Sequence, residues 1–327
     1  MTALLEARDV KMHFPVMGGL FRHRIGSVFA VDGVSFTLER GKTLGIVGES
    51  GCGKSTLGRT IVRLYRPTDG SIRFDGQEIS NLPDSELIPL RRRMQMIFQD
   101  PYSSLNPRKS IRSTLEEPMR IHDIGDAAER FERVAWLMEK VGLRTDDLHK
   151  FPHEFSGGQR QRIGIARALV LEPELIVADE PVSALDVSIQ SQVLNLLVSL
   201  QQELSLTTIF ISHDLTVVKY VSDRVAVMYL GRIVEIADSQ NIYTHPVHPY
   251  TQALLSALPI ADPRRRAKRQ PLEGDVPNPS QPPTGCAFHT RCPHVRDICK
   301  QQAPKLEIVS GGSDHAAACH FAEELRK

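Results

Sequence analysis

The sequence predicts an α/β fold in which a largely parallel sheet presents its chemistry at strand ends. Three observations predict it. Short apolar runs, Leu44-Gly45-Ile46-Val47, Leu175-Ile176-Val177-Ala178 and Thr208-Ile209-Phe210-Ile211, each enter a polar loop, as strands buried on both faces do. The first run leads into Gly48-Glu49-Ser50-Gly51-Cys52-Gly53-Lys54-Ser55 and then into helix-forming sequence. The second ends in the acidic pair Asp179-Glu180.

Ahead of these runs the chain is β-rich. In VSFTLERG, Val34, Phe36 and Leu38 alternate onto one face, and SIRFDGQEI carries an Asp75-Gly76 turn between two short strands. The connection GGLFRHRIGSVF after Phe14 is expected to be a solvated hairpin loop. From about residue 100 to 160 the pattern turns helical: Phe131, Val134, Ala135, Met138 and Val141 recur at helical spacing, with Gly142 as the C-terminal cap. A helical subdomain inserted in the α/β core is expected there. From about Pro246 prolines thicken, which marks a small irregular C-terminal region (246–327) appended to a main domain (1–245). The basic run DPRRRAKRQ is expected to be a solvated linker, and no internal repeat is visible.

Composition narrows the function. The 327 residues, 41% hydrophobic, suffice for one large core and a smaller unit. Lysine and arginine (40) nearly balance aspartate and glutamate (39), so there is no electrostatic ground for nucleic-acid binding, and any polyanion must be held locally. MTALLEARDVKMHFP lacks the basic-then-apolar layout of a secretory signal, and no apolar run approaches a bilayer span. A cytosolic protein, docked on a membrane only through a partner, is expected.

The glycine-rich segment fits G-x-x-x-x-G-K-[ST] between a strand and a helix. Gly48, Ser50, Gly51 and Gly53 would let backbone N–H groups wrap phosphates, Lys54 would meet the β- and γ-phosphates, and Ser55, followed by Thr56, would ligate Mg²⁺. Asp179 would hold the metal's hydration shell and Glu180 would activate a water. Mg-ATP hydrolysis is the expected chemistry.

Phe155-Ser156-Gly157-Gly158-Gln159 resembles the LSGGQ signature of ATP-binding cassette (ABC) ATPases, with Phe in place of Leu. The resemblance implies a P-loop NTPase (RecA-like) core with an antiparallel β subdomain and an inserted helical signature subdomain. It further implies that Gln99 in MIFQDP is the Q-loop residue contacting Mg²⁺ and water, that Ser183-Ala184-Leu185-Asp186 is the D-loop, and that His213 contacts the γ-phosphate. Phe14 is similar in position to the aromatic that stacks on adenine, although a lone aromatic beside a strand also suits a core. Two cassettes would pair head to tail, so Ser156, Gly157, Gly158, Gln159 and Asp186 would serve the partner's ATP. Repair members carry long coiled coils, ribosome-associated members two cassettes, and exporters a fused membrane domain. None is visible here, which leaves a stand-alone importer subunit.

HPVHPYTQALLSALP and GCAFHTRCPHVRDIC resemble the C-terminal region of dipeptide and oligopeptide permease ATPases, of the F type. The resemblance implies a heterodimer with a homologous D-type ATPase, two transmembrane permease subunits, an indirectly linked periplasmic or extracellular peptide-binding protein, and a peripheral place on the cytoplasmic face of the inner membrane. Importers of nickel or glutathione use similar ATPases, and a soluble ATPase with a metal-binding regulatory tail is the reading from another class. His248, Pro249 and Tyr250 mark the subfamily, and structurally they suit a helix-start turn.

Cys286, Cys292, Cys299 and Cys319 follow C-x5-C-x6-C-x19-C. A cytosolic setting argues against disulfides. The spacing lacks the tight pair usual for structural zinc and leaves an iron–sulfur cluster, zinc and free thiols all open, with His289, His294, His315 and His320 near enough to replace a cysteine in a mixed zinc site. Resemblance to the permease ATPases points to a structural 4Fe-4S cluster. Cys52, inside the phosphate loop, is expected to bind no metal.

Overall fold

The structure, a computed structural model, describes residues 3–18, 23–100, 102, 104–258, 272, 274–309 and 314–326. Strands β1 (Ala3–Gly18), β2 (His23–Glu39) and β3 (Thr43–Val47) precede helix α1 (Lys54–Ile61), strands β4 (Asp69–Phe74) and β5 (Gln77–Glu78), and helix α2 (Asp84–Arg93). Strand β6 (Met94–Ile97) is followed by helices α3 (Ile111–Ile121), α4 (Ala127–Lys140) and α5 (Gly157–Leu169), then β7 (Leu175–Asp179), α6 (Val187–Glu203) and β8 (Thr207–Ile211). After α7 (Leu215–Val221), β9 (Arg224–Tyr229) and β10 (Arg232–Asp238) come α8 (Ser239–Thr244), α9 (Pro249–Ser256), α10 (Asp297–Gln301), β11 (Glu307–Ile308), β12 (Ala316–Ala317) and α11 (Ala322–Leu325). Among the described residues no helix is long and apolar enough to cross a membrane.

The chain divides into two compact units. One holds Glu39–Lys42 and Leu82–Ile211. In it β6, β7 and β8 run parallel, with Met94 opposite Leu175 and Asp179 opposite Ile211. All of β7 is buried, as the unbroken apolar run requires. Arg40 and Arg93 both bond to the Glu174 carboxylate, and these contacts, that of Arg93 foremost, hold it below the usual carboxylate range. Helix α4 starts in a capping box between Asp126 and Glu129. It ends in a Schellman motif: Leu143 N–H donates to Met138 O at 2.8 Å, Gly142 N–H to Glu139 O at 2.9 Å, and Gly142 takes φ 71°. Val134, Leu137, Met138 and Val141 are buried, but Phe131 is 41% exposed with the Arg112 guanidinium over its ring. Leu137 therefore completes the inner face, while the Phe131 ring stays outside it beneath the Arg112 guanidinium.

The other unit holds Ala3–Leu38, Thr43–Asn81 and the chain from Ser212 on. A sheet of order β2-β1-β4-β5 contains the antiparallel β1–β4 pair, and the β4–β5 hairpin turns on Asp75 (φ 52°) and Gly76 (φ 77°) as expected. Val34, Phe36 and Leu38 are buried on one face of β2. The expected loop after Phe14 is largely strand, since β1 continues to Gly18 and β2 begins at His23; residues 19–22 lie outside the described residues. His23–Gly26 are all exposed, so this ribbon offers no apolar alternation to read.

In the same unit β3 and β9 are parallel and β9–β10 form a hairpin. The C-terminal region extends that sheet: β12 pairs with β10 through Glu235–Ala317 and Ile236–Ala316, β11 pairs with β12, and Val247, Val309 and Ala317 share a small apolar cluster. The basic run 262–270 lies outside the described residues.

Candidate functional site

In the second unit, β3 delivers the chain to Gly48 and α1 takes it up at Lys54. Two glycines are obligatory here. A Cβ on Gly48 (φ 155°) would sit 2.1 Å from Met228 O, and one on Gly53 (φ 103°), the N-cap of α1, would sit 1.9 Å from Ala30 O. Lys54 is buried, and its Nζ donates to Gly48 O at 2.8 Å and Glu49 O at 3.0 Å, so the ammonium lies folded against the loop. Ser55 and Thr56 are half-buried on the first turn of α1, and Ser50 and Gly51 are exposed. Burial pushes the Cys52 thiol up. Phe14, half-buried on β1, meets the Tyr65 ring edge-on at 5.5 Å. His213 is exposed just beyond β8, ahead of the Asp214 cap of α7.

The first unit carries the acids. Asp179 ends β7 fully buried, and Glu180 follows in the left-handed region at φ 46°, with its N–H on Ile211 O at 3.0 Å and its carbonyl accepting from Ser183. A glutamate seldom adopts that backbone, and strain of this kind collects where a side chain must be aimed. Gln99, beyond β6, donates through Nε2 to the Glu180 carboxylate at 3.0 Å. Ser156 is the N-cap of α5 and forms a capping box with Gln159, while Gly157 and Gly158 occupy the first turn. Phe155 is buried, which explains why an aromatic serves in the usual leucine position. Arg160 secures the approach to α5 by donating to Pro152 O at 2.6 Å and His153 O at 3.3 Å. Asp186, exposed, stands at the start of α6.

The C-terminal residues reach the phosphate loop, which sequence reasoning missed. His248 caps α9 by accepting from Tyr250 N–H at 3.1 Å, the expected helix-start turn. Tyr250 Oη in turn accepts from Glu49 N–H at 2.9 Å, and Arg291 forks onto the Glu49 carboxylate at 2.7 and 3.1 Å. HPYT was the available signal, but nothing local says what its tyrosine touches.

No disulfide joins the five cysteines. Burial pushes Cys286 up to about 11, and Cys299, Cys292 and Cys319 add to the rise, so the four lie within electrostatic reach of one another. Among the described residues, however, no group of three or more His, Cys, Asp or Glu side chains is disposed to hold a metal ion. The expectation of iron–sulfur or zinc at Cys286, Cys292, Cys299 and Cys319 therefore finds no preformed cage; the backbone there is held by Cys286 N–H to Cys299 O at 2.8 Å and by the turn His289 N–H to Cys286 O at 3.0 Å.

A phosphate loop, an acidic strand end and a capped signature helix define an ABC nucleotide-binding cassette. The ABC transporter family model matches residues 31–183, and the model of the oligopeptide/dipeptide transporter C-terminal region matches 234–299. The chain belongs to the ATP-binding proteins of the oligopeptide/dipeptide ABC transporter family. It is 57% identical to the oligopeptide transport ATP-binding protein AppF of Bacillus subtilis, over 97% of each chain. Among solved structures it resembles the dimeric post-hydrolysis cassette MJ0796 bound to ADP and phosphate (28% identity, TM-score 0.65, 72% of this chain and 98% of that one). It also resembles cbiO1 of Clostridium perfringens, part of the ABC transporter complex cbiONQ (27% identity, TM-score 0.63, 74% and 91%).

Proposed function

We propose that this chain hydrolyses ATP to energise peptide import through a membrane transporter. The observation that carries the reading is the union, in one chain, of the cassette with the peptide-transporter C-terminal region, at high identity to AppF along nearly the whole length. Gly48, Ser50, Gly51, Gly53, Lys54, Ser55 and Thr56 bind the phosphates, with Mg²⁺ on Ser55 and Gln99; Asp179 supports the metal's water shell, Glu180 polarises the attacking water, and His213 contacts the γ-phosphate. Phe14 stacks on adenine. Ser156, Gly157, Gly158, Gln159 and Asp186 serve the ATP of a partner cassette, a homologous D-type chain, in a head-to-tail pair. Two permease subunits hold the pair at the cytoplasmic face of the membrane and receive substrate from a peptide-binding protein. The division at residues 245/246 separates motor from accessory region.

The test is reconstitution with the permease subunits and binding protein in vesicles. Peptide-stimulated ATP hydrolysis with peptide uptake is expected; stimulation by nickel or glutathione alone would replace the cargo, and hydrolysis indifferent to the permease would remove the transporter.

A 4Fe-4S cluster on the four cysteines, with zinc as its alternative, is a separate proposal. What supports it is the resemblance of the cysteine-bearing tail to that of permease ATPases, together with the nearness by which Cys299, Cys292 and Cys319 act on Cys286; no preformed ligand cage accompanies it among the described residues. Four irons and four sulfides per chain, lost on replacing Cys286 and Cys292, are expected in anaerobically purified protein; absence of iron rejects it.

A further inference from the structure

Glu49 is an acid inside a loop built to receive polyphosphate, which by itself would repel the ligand. Its carboxylate is occupied by Arg291, whose Nη1 and Nη2 donate to the two oxygens at 2.7 and 3.1 Å. The arginine side chain is 5% exposed and that of Glu49 27%, so the pair is poorly screened and bidentate. Both sides of the Glu49 residue are tied as well: its N–H to Tyr250 Oη and its carbonyl to Lys54 Nζ.

The supports of Arg291 and Tyr250 are themselves packed and hydrogen-bonded. Phe288 packs against Tyr250 and Tyr229 with ring centroids 5.4 and 5.3 Å apart, and Tyr229 lies 4.8 Å from Tyr250. Arg291 N–H donates to Phe288 O at 3.0 Å, which closes the turn that projects the guanidinium.

We propose that Arg291 and Tyr250 are positioning residues for the nucleotide: they neutralise Glu49 and fix its peptide, so that the C-terminal segment sets how tightly the phosphate loop holds ATP. Ordering the loop before the ligand arrives removes an entropic cost from binding. Cancelling the Glu49 charge removes a repulsion. The two effects are separable, because the second vanishes if Glu49 is made neutral.

The inference rests on the loop binding ATP, and the experiment tells the two apart. Dissociation constants for a fluorescent ATP analogue with Mg²⁺ are measured on the full chain. If the unmodified chain does not bind, the ATP-binding reading itself fails. Given binding, Arg291→Ala is expected to weaken it by about tenfold, the size of one charge-assisted hydrogen-bonding contact. Adding Glu49→Gln to Arg291→Ala should recover most of that loss, and Tyr250→Phe should weaken binding by about threefold. A purely structural role for Arg291 predicts a double variant no better than the single one, and that result, or an unchanged constant in Arg291→Ala, overturns the proposal. Should Arg291→Ala fail to fold, Arg291→Gln removes the charge while keeping a hydrogen-bonding side chain, and Glu49→Gln/Arg291→Gln provides the same comparison with the same deciding outcome.

Discussion

Gln99 Nε2 and the Glu180 carboxylate are 3.0 Å apart, joining residues that follow two adjacent parallel strands. The contact orients an acid whose backbone already stands at φ 46°, so the direction of the carboxylate is determined by both main chain and neighbour. Glu180→Gln preserves size but not basicity, and turnover should fall by about 10²- to 10⁴-fold with ATP binding intact. Phosphate release together with nucleotide binding checks this; undiminished release would remove Glu180 from the chemistry.

Ser156 has a capping duty and, as proposed, a partner-facing one, and substitutions can part them. As N-cap of α5 it accepts from Gln159 N–H, and Ser156→Ala should cost about 1 kcal/mol of stability. Ser156→Asp caps a helix as well, so stability should survive, yet its carboxylate would oppose a γ-phosphate arriving from a partner cassette. Denaturation curves and hydrolysis by the assembled pair report the two effects, and full activity with Asp would contradict the partner-facing role.

Acid should loosen the C-terminal region through His248. Burial lowers its pKa from 6.5 to about 4, against the pull of the Glu235 carboxylate, while Tyr250 N–H donates to Nδ1 and the Phe288 ring lies 5.5 Å away. The unfolded chain therefore binds more protons than the folded one between pH 6.5 and about 4, and stability is lost as pH falls through that window, by up to roughly 3 kcal/mol. His248→Asn retains a capping acceptor without the titration. Stability measured from pH 7 to 4 should slope less in the variant; an identical slope assigns the effect elsewhere.

Glu235, fully buried, accepts from Val247 N–H at 2.7 Å and His248 N–H at 2.9 Å, with His315 Nε2 2.7 Å from Oε1. Glu235→Ala strands all three, and a loss of about 3–5 kcal/mol is expected. Chemical denaturation measures it, with a cost under about 1 kcal/mol showing that the region is held otherwise.

The motor half was legible because its signals are local. Gly48 to Ser55 and Ser156 to Gln159 are contiguous, and β3, β7 and β8 announce themselves by unbroken apolar runs. Glu180 could be placed but not its left-handed backbone, since a strand-end acid looks the same in any conformation. The C-terminal region was legible only as irregular: β11 and β12 have two residues each, too few for an alternating pattern, and their partner is chosen by the open edge of β10. The Arg291–Glu49 pair was invisible because no periodicity links residues 242 apart.

That same separation has a consequence in time. A ribosome adding about 5–20 residues per second releases Arg291 roughly 10–50 s after Glu49. If Arg291 sets nucleotide affinity as proposed, the nascent phosphate loop carries an unneutralised acid throughout that interval and holds ATP less tightly than the finished chain. On that proposal full nucleotide affinity would arrive late in synthesis, and a chain cut short before Arg291 would be born weak in binding rather than freely consuming fuel.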